Sequence, residues 1–296
     1  SVDKLEVSLL GGFSMRVGGK LVPEGKLDRR DAKSVLEYLL LRDRMSARRY
    51  EIIAQVWPED GLPKGKDRLY QATSTIRSAI RDIDPTLDVF SISKAMKSMA
   101  LDEDRVACDV NEFQLAATAA IERPDPASTI RAARRANELY GGDLYRPTFD
   151  STGFVAARRS ELRSLYMDAM VAGAQAALQT GRDGLAVNFA KNALLVDEMR
   201  EDAFAVYIRA LKASGRTSEA SREYERYARR VVKLRKTPPS RLLREVAGDG
   251  LGFSARERFE RRRLVKEIEG GTPPMQLLDG GADDQAEREP LLEAQA

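Results

Sequence analysis

The chain has 296 residues, with 49 Lys and Arg against 46 Asp and Glu, no histidine and a single cysteine, Cys108. This composition excludes His-dependent catalysis, His-ligated metal sites, disulfides within the chain and Cys metal clusters. No apolar run approaches the roughly 18 residues of a membrane span, and no signal-peptide pattern occurs at the start. We therefore expect a cytoplasmic protein that associates with no membrane and needs no cofactor.

Charge is distributed unevenly along the chain. Residues 26–81 hold thirteen Lys and Arg against eight Asp and Glu, whereas residues 270–296 hold six acids and one Arg. The basic segment indicates a candidate surface for an anionic partner. The acidic segment is rich in Gly, Pro and Gln, and its composition predicts disorder.

The first fifty-seven residues predict a small sheet followed by two helices. Residues 5–22 contain short apolar runs separated by glycine pairs, which is typical of antiparallel strands joined by turns. A helical pattern follows over 28–41, with Asp28 or Asp31 as a candidate N-cap. Ser46 is a candidate N-cap for a second helix over 47–57, which ends before Pro58.

A third helix is predicted over 64–83. Its apolar stripe is formed by Leu69, Thr73, Ile76 and Ile80, which share one helical face. We expect the opposite surface to carry short hydrogen-bonding side chains and basic residues: Arg68, Gln71, Ala72, Thr75 and Ser78, with Arg77 and Arg81 on the flank. Such a face suits the major groove of DNA, although a polar outer face is also normal for any surface helix.

A hairpin is predicted after this helix, because apolar residues at 90–92 and 99–101 flank a short basic tip. Two strands, three helices and a terminal hairpin make a winged helix-turn-helix, whose third helix enters the major groove. The candidate DNA-binding residues are Lys64, Lys66, Arg68, Gln71, Ser74, Thr75, Arg77, Lys94 and Lys97. We expect Arg68 and Gln71 to contact bases, with Thr75 as a further candidate. We expect Lys64, Lys66, Arg77, Lys94 and Lys97 to contact the backbone.

The chain beyond residue 109 is helical in pattern and contains an internal repeat. The run GRDGLA at 181–186 recurs as GRTSEA at 215–220, an offset of 34 residues. Apolar partners recur at the same offset, among them Ala176 with Ala210 and Ala193 with Tyr227. A 34-residue helix-turn-helix period resembles the tetratricopeptide repeat, in which each helix pair buries its face against the next pair.

Two stretches resemble one known family. The run YEIIAQVWPEDGLPKGKDRLYQATSTIRSAIRDI at 50–83 resembles the winged helix of SARP-type regulators, and DVNEF at 109–113 is similar to the junction that follows it. The segments YGGDL at 140–144 and TPPS at 237–240 resemble the bacterial transcriptional activator domain (BTAD) of the same family. The chain departs from the family at Ser74 and Thr75, where arginines are usual. It also departs at Ser98-Met99 in the predicted hairpin, which is the wing of the winged helix.

The resemblance implies a fold and a function. The fold is mainly α: an α+β winged helix-turn-helix over 1–108, then an all-α domain of tetratricopeptide-like repeats over 109–247. Residues 248–296 lie beyond the resemblance, and their composition predicts a charged helix over 255–269 and an acidic tail. The function is that of a transcriptional activator that binds direct-repeat promoter elements in double-stranded DNA as a homodimer. The resemblance further implies that the loop at 58–65 lies where RNA polymerase contacts such regulators.

Two other classes of function compete with this one. A protein-interaction adaptor with a winged helix that does not bind DNA is favoured by the net charge of about +1 over 1–110 and by Asp67 beside Arg68. An enzyme is disfavoured, because the chain has no histidine and the run GLPKGK lacks the spacing of a phosphate-binding loop.

Overall fold

The N-terminal part of the molecule is built on two small sheets. The computed structural model describes residues 4–29, 31–122, 125–146, 150, 152–248 and 263. In the first sheet, β1 (Leu5–Ser8) pairs antiparallel with β2 (Ser14–Val17), which pairs with β3 (Lys20–Leu21). The fourth strand, β7 (Val106–Cys108), pairs in parallel with β1, so the chain between β3 and β7 leaves this sheet and returns to it.

Three helices and a hairpin lie in the chain between β3 and β7. The helices are α1 (Ala32–Leu40), α2 (Arg49–Val56) and α3 (Leu62–Arg81), and each packs against the other two. The second sheet contains β4 (Ser46–Arg48), β5 (Phe90–Ser93) and β6 (Ser98–Leu101) in the order β4-β6-β5. The predicted hairpin is thus present as β5 and β6, and the predicted winged helix-turn-helix is confirmed.

Several predicted boundaries are wrong in detail. Ser46 does not cap a helix, because residues 46–48 pair with β6 as a strand; α2 starts at Arg49, where Glu51 accepts a hydrogen bond from the Arg48 amide. Asp31 precedes α1 but its carboxylate accepts from the Trp57 indole at 2.7 Å instead of capping the helix. The third helix begins at Leu62, with Pro63 in its first turn, where a missing amide hydrogen costs nothing.

The C-terminal part is a stack of antiparallel helices. After β7 (Val106–Cys108) the chain enters α4 (Asp109–Glu122) directly. The later helices are α5 (Pro126–Leu139), α6 (Phe154–Gln179), α7 (Asp183–Val196), α8 (Glu201–Ala213), α9 (Thr217–Arg235) and α10 (Arg241–Gly248). The predicted all-helical repeat domain is confirmed, while the predicted charged helix over 255–269 and the acidic tail lie outside the described residues apart from Arg263.

The predicted 34-residue period is visible in the hydrogen bonds of two turns. Gly181 and Gly215 both have positive φ, 72° and 76°, a conformation that glycine adopts without strain. The amide of Arg182 donates to Ala177 O, and that of Arg216 donates to Leu211 O, both at 2.8 Å. Equivalent residues thus end α6 and α8 and start α7 and α9 in the same way.

Polar and aromatic contacts join the winged helix to the helical repeats. Gln55 of α2 donates to the Asp150 carboxylate at 2.9 Å and accepts from the Thr152 hydroxyl. Asp150 also accepts from the amides of Val155 and Ala156, so it caps the first turn of α6. The rings of Tyr38 and Phe154 meet edge to face with centroids 5.1 Å apart. These contacts fix α1 and α2 against the start of α6.

Glu37 of α1 is buried near this interface without a partner. Its residue exposure is 0%, and neither carboxylate oxygen has a hydrogen-bond partner within the described residues. Burial raises the pKa of Glu37 to about 8, and the negative charge of Asp150 adds to the shift. Near neutral pH the side chain is therefore mostly protonated, because an uncompensated charge in a buried site is costly.

We predict that Glu37 makes folding less favourable as pH rises. The unfolded chain ionises this group near pH 4.5 and the folded chain only near pH 8, so stability falls across that interval. Between pH 6 and pH 9, the wild type should lose roughly 3 kcal/mol of unfolding free energy relative to Glu37→Gln. Urea unfolding at both pH values measures this difference, with Glu59→Gln as the exposed control. Parallel losses in wild type and Glu37→Gln would contradict the prediction.

Candidate nucleic-acid interface

The third helix of the N-terminal domain, α3, is held on two sides. Its buried residues are Gly65, Leu69, Ala72, Thr73, Ile76, Ala79 and Ile80. A Cβ at Gly65 would lie 2.3 Å from Ile53 Cγ2, so glycine is needed for the close approach of α2 and α3. The predicted stripe of Leu69, Thr73, Ile76 and Ile80 is confirmed, but the buried arc is wider than the sequence indicated.

The wider arc changes the composition of the outer face. Ala72 was expected there and is buried instead, because both α1 and α2 pack on this side of α3. Asp67, Gln71, Ser74 and Ser78 are exposed, so the middle of the outer face is polar with one negative charge. The exposed residues also include two on this surface that the candidate list omitted: Tyr70 and Arg81.

Two of the predicted DNA contacts are bound to a carboxylate of the same domain. Asp60 accepts from Lys64 Nζ at 2.6 Å and from Arg68 Nη1 at 2.8 Å. The hydrogen bond from Lys64, reinforced by Arg68, holds the pKa of Asp60 below its ordinary value, so the carboxylate stays charged. The Arg68 guanidinium also lies 5.8 Å from the Trp57 ring centroid. Arg68 is thus on the flank of α3 facing the α2–α3 loop.

Arg77 has a structural contact on the other flank. Its Nε lies 3.3 Å from the Asp88 carboxylate, and its guanidinium lies 5.1 Å from the centre of the Phe90 ring. Only 23% of its side chain is exposed. Arg77 therefore joins α3 to the start of the hairpin, a role that nothing in the local spacing of Arg77 and Asp88 indicated.

The remaining candidates on α3 are Lys66, Gln71, Ser74 and Thr75. Lys66, Gln71 and Ser74 are exposed, and Lys66 forms no salt bridge with any described residue. Thr75 is half-buried, and its hydroxyl donates to the Gln71 carbonyl at 3.0 Å. Lys66 and Gln71 are consequently the long polar candidates on α3 whose heads are not engaged within the described domain.

The hairpin tip presents two further lysines. Lys94 and Lys97 are exposed and form no salt bridge within the described part of the chain, and Lys97 has positive φ (50°) in the turn. The Lys97 carbonyl accepts from the Arg49 amide at 3.0 Å, so the tip is fixed to the start of α2. The hairpin is therefore a basic element that is hydrogen-bonded to the start of α2.

The sequence reasoning missed Asp60, which decides the state of Lys64 and Arg68. A signal was present, because Asp60 precedes Lys64 by four residues and Arg68 by eight, so a carboxylate just before α3 can reach the basic side chains of its first two turns. Within the described residues no group of three or more potential metal ligands occurs, and no helix is long and apolar enough to cross a membrane. Burial raises the pKa of the Cys108 thiol to about 12, so this cysteine is not a reactive thiolate.

Comparison with known proteins supports the domain order. A family model described as the bacterial transcriptional activator domain matches residues 108–248. The structure is similar to Mycobacterium tuberculosis EmbR in complex with a low-affinity phosphopeptide, with a TM-score of 0.68 and 19% identity over 90% of this chain and 70% of that chain. A search of curated proteins found no match.

The structure thus has a winged helix-turn-helix followed by a bacterial transcriptional activator domain, the order expected for a transcriptional regulator. The resemblance drawn from the sequence is therefore confirmed for the order of the domains, and residues 108–248 belong to the bacterial transcriptional activator domain family.

We predict that Asp60 weakens the attraction of α3 for DNA. Asp60→Asn should strengthen binding to a random duplex and steepen its salt dependence by up to about one unit, because Lys64 and Arg68 become available to phosphates. Fluorescence anisotropy across a salt series measures both quantities. Glu59→Gln is the matched control, since it removes the same charge from an exposed neighbour that forms no salt bridge in the described structure. Equal effects of the two variants would show that net charge alone matters.

Proposed function

We propose that the chain activates transcription by placing α3 in the major groove of promoter DNA. The observation that supports this most directly is the outer surface of α3, where Gln71 and Lys66 are exposed. A glutamine on such a helix can pair with the N6 and N7 atoms of adenine. Lys66 near the start of the helix suits a phosphate contact that sets its register.

Arg68 has a conditional role in this proposal. It was the other candidate for base contact, and its side chain is 45% exposed while it is paired with Asp60. To contact a base, Arg68 must first break its ion pair with Asp60, which reduces its net contribution to the free energy of DNA binding. We therefore assign the main base contact to Gln71, with Ser74 and Thr75 beside it, and keep Arg68 and Lys64 as contacts that form at the expense of Asp60.

The hairpin supplies sequence-independent attraction. Lys94 and Lys97 are compact positive charges on a braced turn, which is the chemistry required for phosphate contact. Arg77 contributes by fixing the hairpin to α3 through Asp88 and Phe90. We assign it a positioning role instead of the backbone contact first expected.

The remaining features of the proposal are the assembly and the polymerase contact. We propose a homodimer on direct promoter repeats, because one helix that exposes few base-reading side chains needs a second half-site for specificity. The RNA polymerase contact is assigned to the turn before α3. This turn is shorter than the predicted loop, since residues 62–65 belong to the helix.

An adaptor that does not bind DNA is the second candidate. The observation in its favour is that three of the four predicted cations on α3, Lys64, Arg68 and Arg77, are paired with acids. Titration of a random duplex at low salt separates the two functions. A dissociation constant weaker than about 10⁻⁴ M, the usual limit of non-specific binding, would favour the adaptor.

Lysine substitutions test the phosphate contacts. We expect Lys66→Ala and Lys94→Ala to weaken binding to all duplexes alike and to reduce the salt slope by about one unit each. Lys20→Ala, which removes an exposed lysine from β3 on the other sheet, is the matched control and should leave the slope unchanged. An unaltered slope for Lys94→Ala would remove the hairpin from the interface.

Substitution of Gln71 tests base reading. Gln71→Ala should reduce the preference for one base pair by roughly 1–3 kcal/mol while leaving random-sequence affinity nearly unchanged. Selection of bound sites from a randomised duplex library, followed by affinity measurements on the selected site and its variants, measures this preference. A uniform loss on every sequence would assign Gln71 to backbone contact instead.

A further inference from the structure

The helical repeats have two unlike faces. The principal contacts between alternate helices join α4 to α6, α6 to α8 and α8 to α10, so these helices form one layer. The other layer consists of α5, α7 and α9, and it contains two adjoining clefts of about 470 and 440 Å³. Lys191 and Leu195 of α7 line both clefts, so the clefts form one groove that we call the outer groove.

The outer groove offers amides beside an exposed apolar side chain. Asn137, Asn188 and Asn192 line it, and Asn192 donates to Asn137 at 3.0 Å. Asn188 is exposed and its amide forms no hydrogen bond with any described residue. Leu195 is 84% exposed between the two clefts. Amide groups can pair with the backbone of an extended chain, and the leucine provides an apolar anchor beside them.

The groove has a positive charge that is not compensated within the described structure. Its lining contains four cations and three acids, and each acid is already paired. Glu138 pairs with Arg135 at 3.5 Å, Glu198 with Arg230 at 2.5 Å, and Glu223 with Arg226. Two basic residues that line the groove form no salt bridge in the described part of the chain: Arg134 and Lys191.

The chain carries a segment with the complementary chemistry. Residues 271–296 hold six acids and one Arg, and the leucine pairs at 277–278 and 291–292 lie next to acids. The segment follows α10, which packs mainly on α8 and also contacts α9, and the Val246 and Ala247 carbonyls accept from Lys212 Nζ of α8 at 2.7 Å. Even with the predicted charged helix counted at 1.5 Å per residue, the chain from Gly248 to Leu277 can span about 70 Å, which exceeds the roughly 39 Å length of the 26-residue α6.

We propose that residues 271–296 dock into the outer groove of the same chain. An acidic residue pairs with Lys191 or Arg134, a leucine covers Leu195, and the asparagine amides bind the backbone between them. The docked segment covers a surface of the repeat domain that is otherwise open to a protein partner. This inference does not depend on DNA binding.

Paramagnetic relaxation in the full chain tests the proposal. A spin label is attached to Ala294→Cys, which reacts selectively because Cys108 is buried. We expect the label to broaden backbone amide signals of residues 185–195 and the facing turns of α5 and α9, but not those of α3 or the hairpin. Lys191→Glu and Leu195→Ser should each abolish the selective broadening, and high salt should weaken it.

A matched control and a mixing experiment make the test decisive. Arg222→Glu makes the same charge change on α9 outside the groove lining and should preserve the broadening. Broadening that is uniform, that lies on another face, or that survives both Lys191→Glu and Leu195→Ser would overturn the proposal. Broadening of an isotope-labelled chain by a spin-labelled second chain would assign the segment to the groove of a second copy, which would also overturn docking within one chain.

Discussion

The packing of the two domains against each other depends on the short parallel pairing of β7 with β1 and on the Asp109 carboxylate that follows β7. Asp109 accepts from the amides of Leu9 and Leu10 at 2.8 and 3.1 Å. It is also the first residue of α4, so one side chain joins the end of the N-terminal sheet to the start of the repeats. Burial raises the pKa of Asp109 while the backbone hydrogen bonds oppose that shift. Together with the hydrogen bond from Gln55 to Asp150, this connection packs the winged helix against the repeats.

This packed unit explains the odd position of Glu37. The residue lies in a helix that must bury nearly all of its surface, because α1 contacts α2, α3 and the wing. A carboxyl there is tolerated in its neutral form, and ionisation would place a second negative charge near Asp150. The interface between the domains is thus more favourable at neutral or lower pH than in alkaline solution.

The electrostatics of α3 follow from a competition between internal pairs and external phosphates. Asp60 and Asp88 orient three basic side chains and hold the helix to its neighbours, which leaves Lys66 and the hairpin lysines as the cations without a salt bridge among the described candidates. An internal ion pair at the surface contributes little stability, so DNA can replace it at modest cost. The outer groove has a similar distribution of charge, because its acids pair with other arginines and leave Arg134 and Lys191 without a salt bridge among the described residues.

The sequence by itself determined the order of the first three helices and the hairpin, the stripe that α3 buries and the 34-residue period, because these depend on local periodicity and turn residues. Gly181 and Gly215 could be recognised since each ends a helix in a conformation that favours glycine. Only the tertiary structure decided that residues 46–48 form a strand, that Ala72 is buried and that Arg77 is held by Asp88. Each of these depends on a partner distant in space, on β6, on α1 and α2, and on the start of the hairpin. A side chain's availability to DNA is likewise set by which acids the fold brings within hydrogen-bonding distance of it, and local spacing records only those on the same helix.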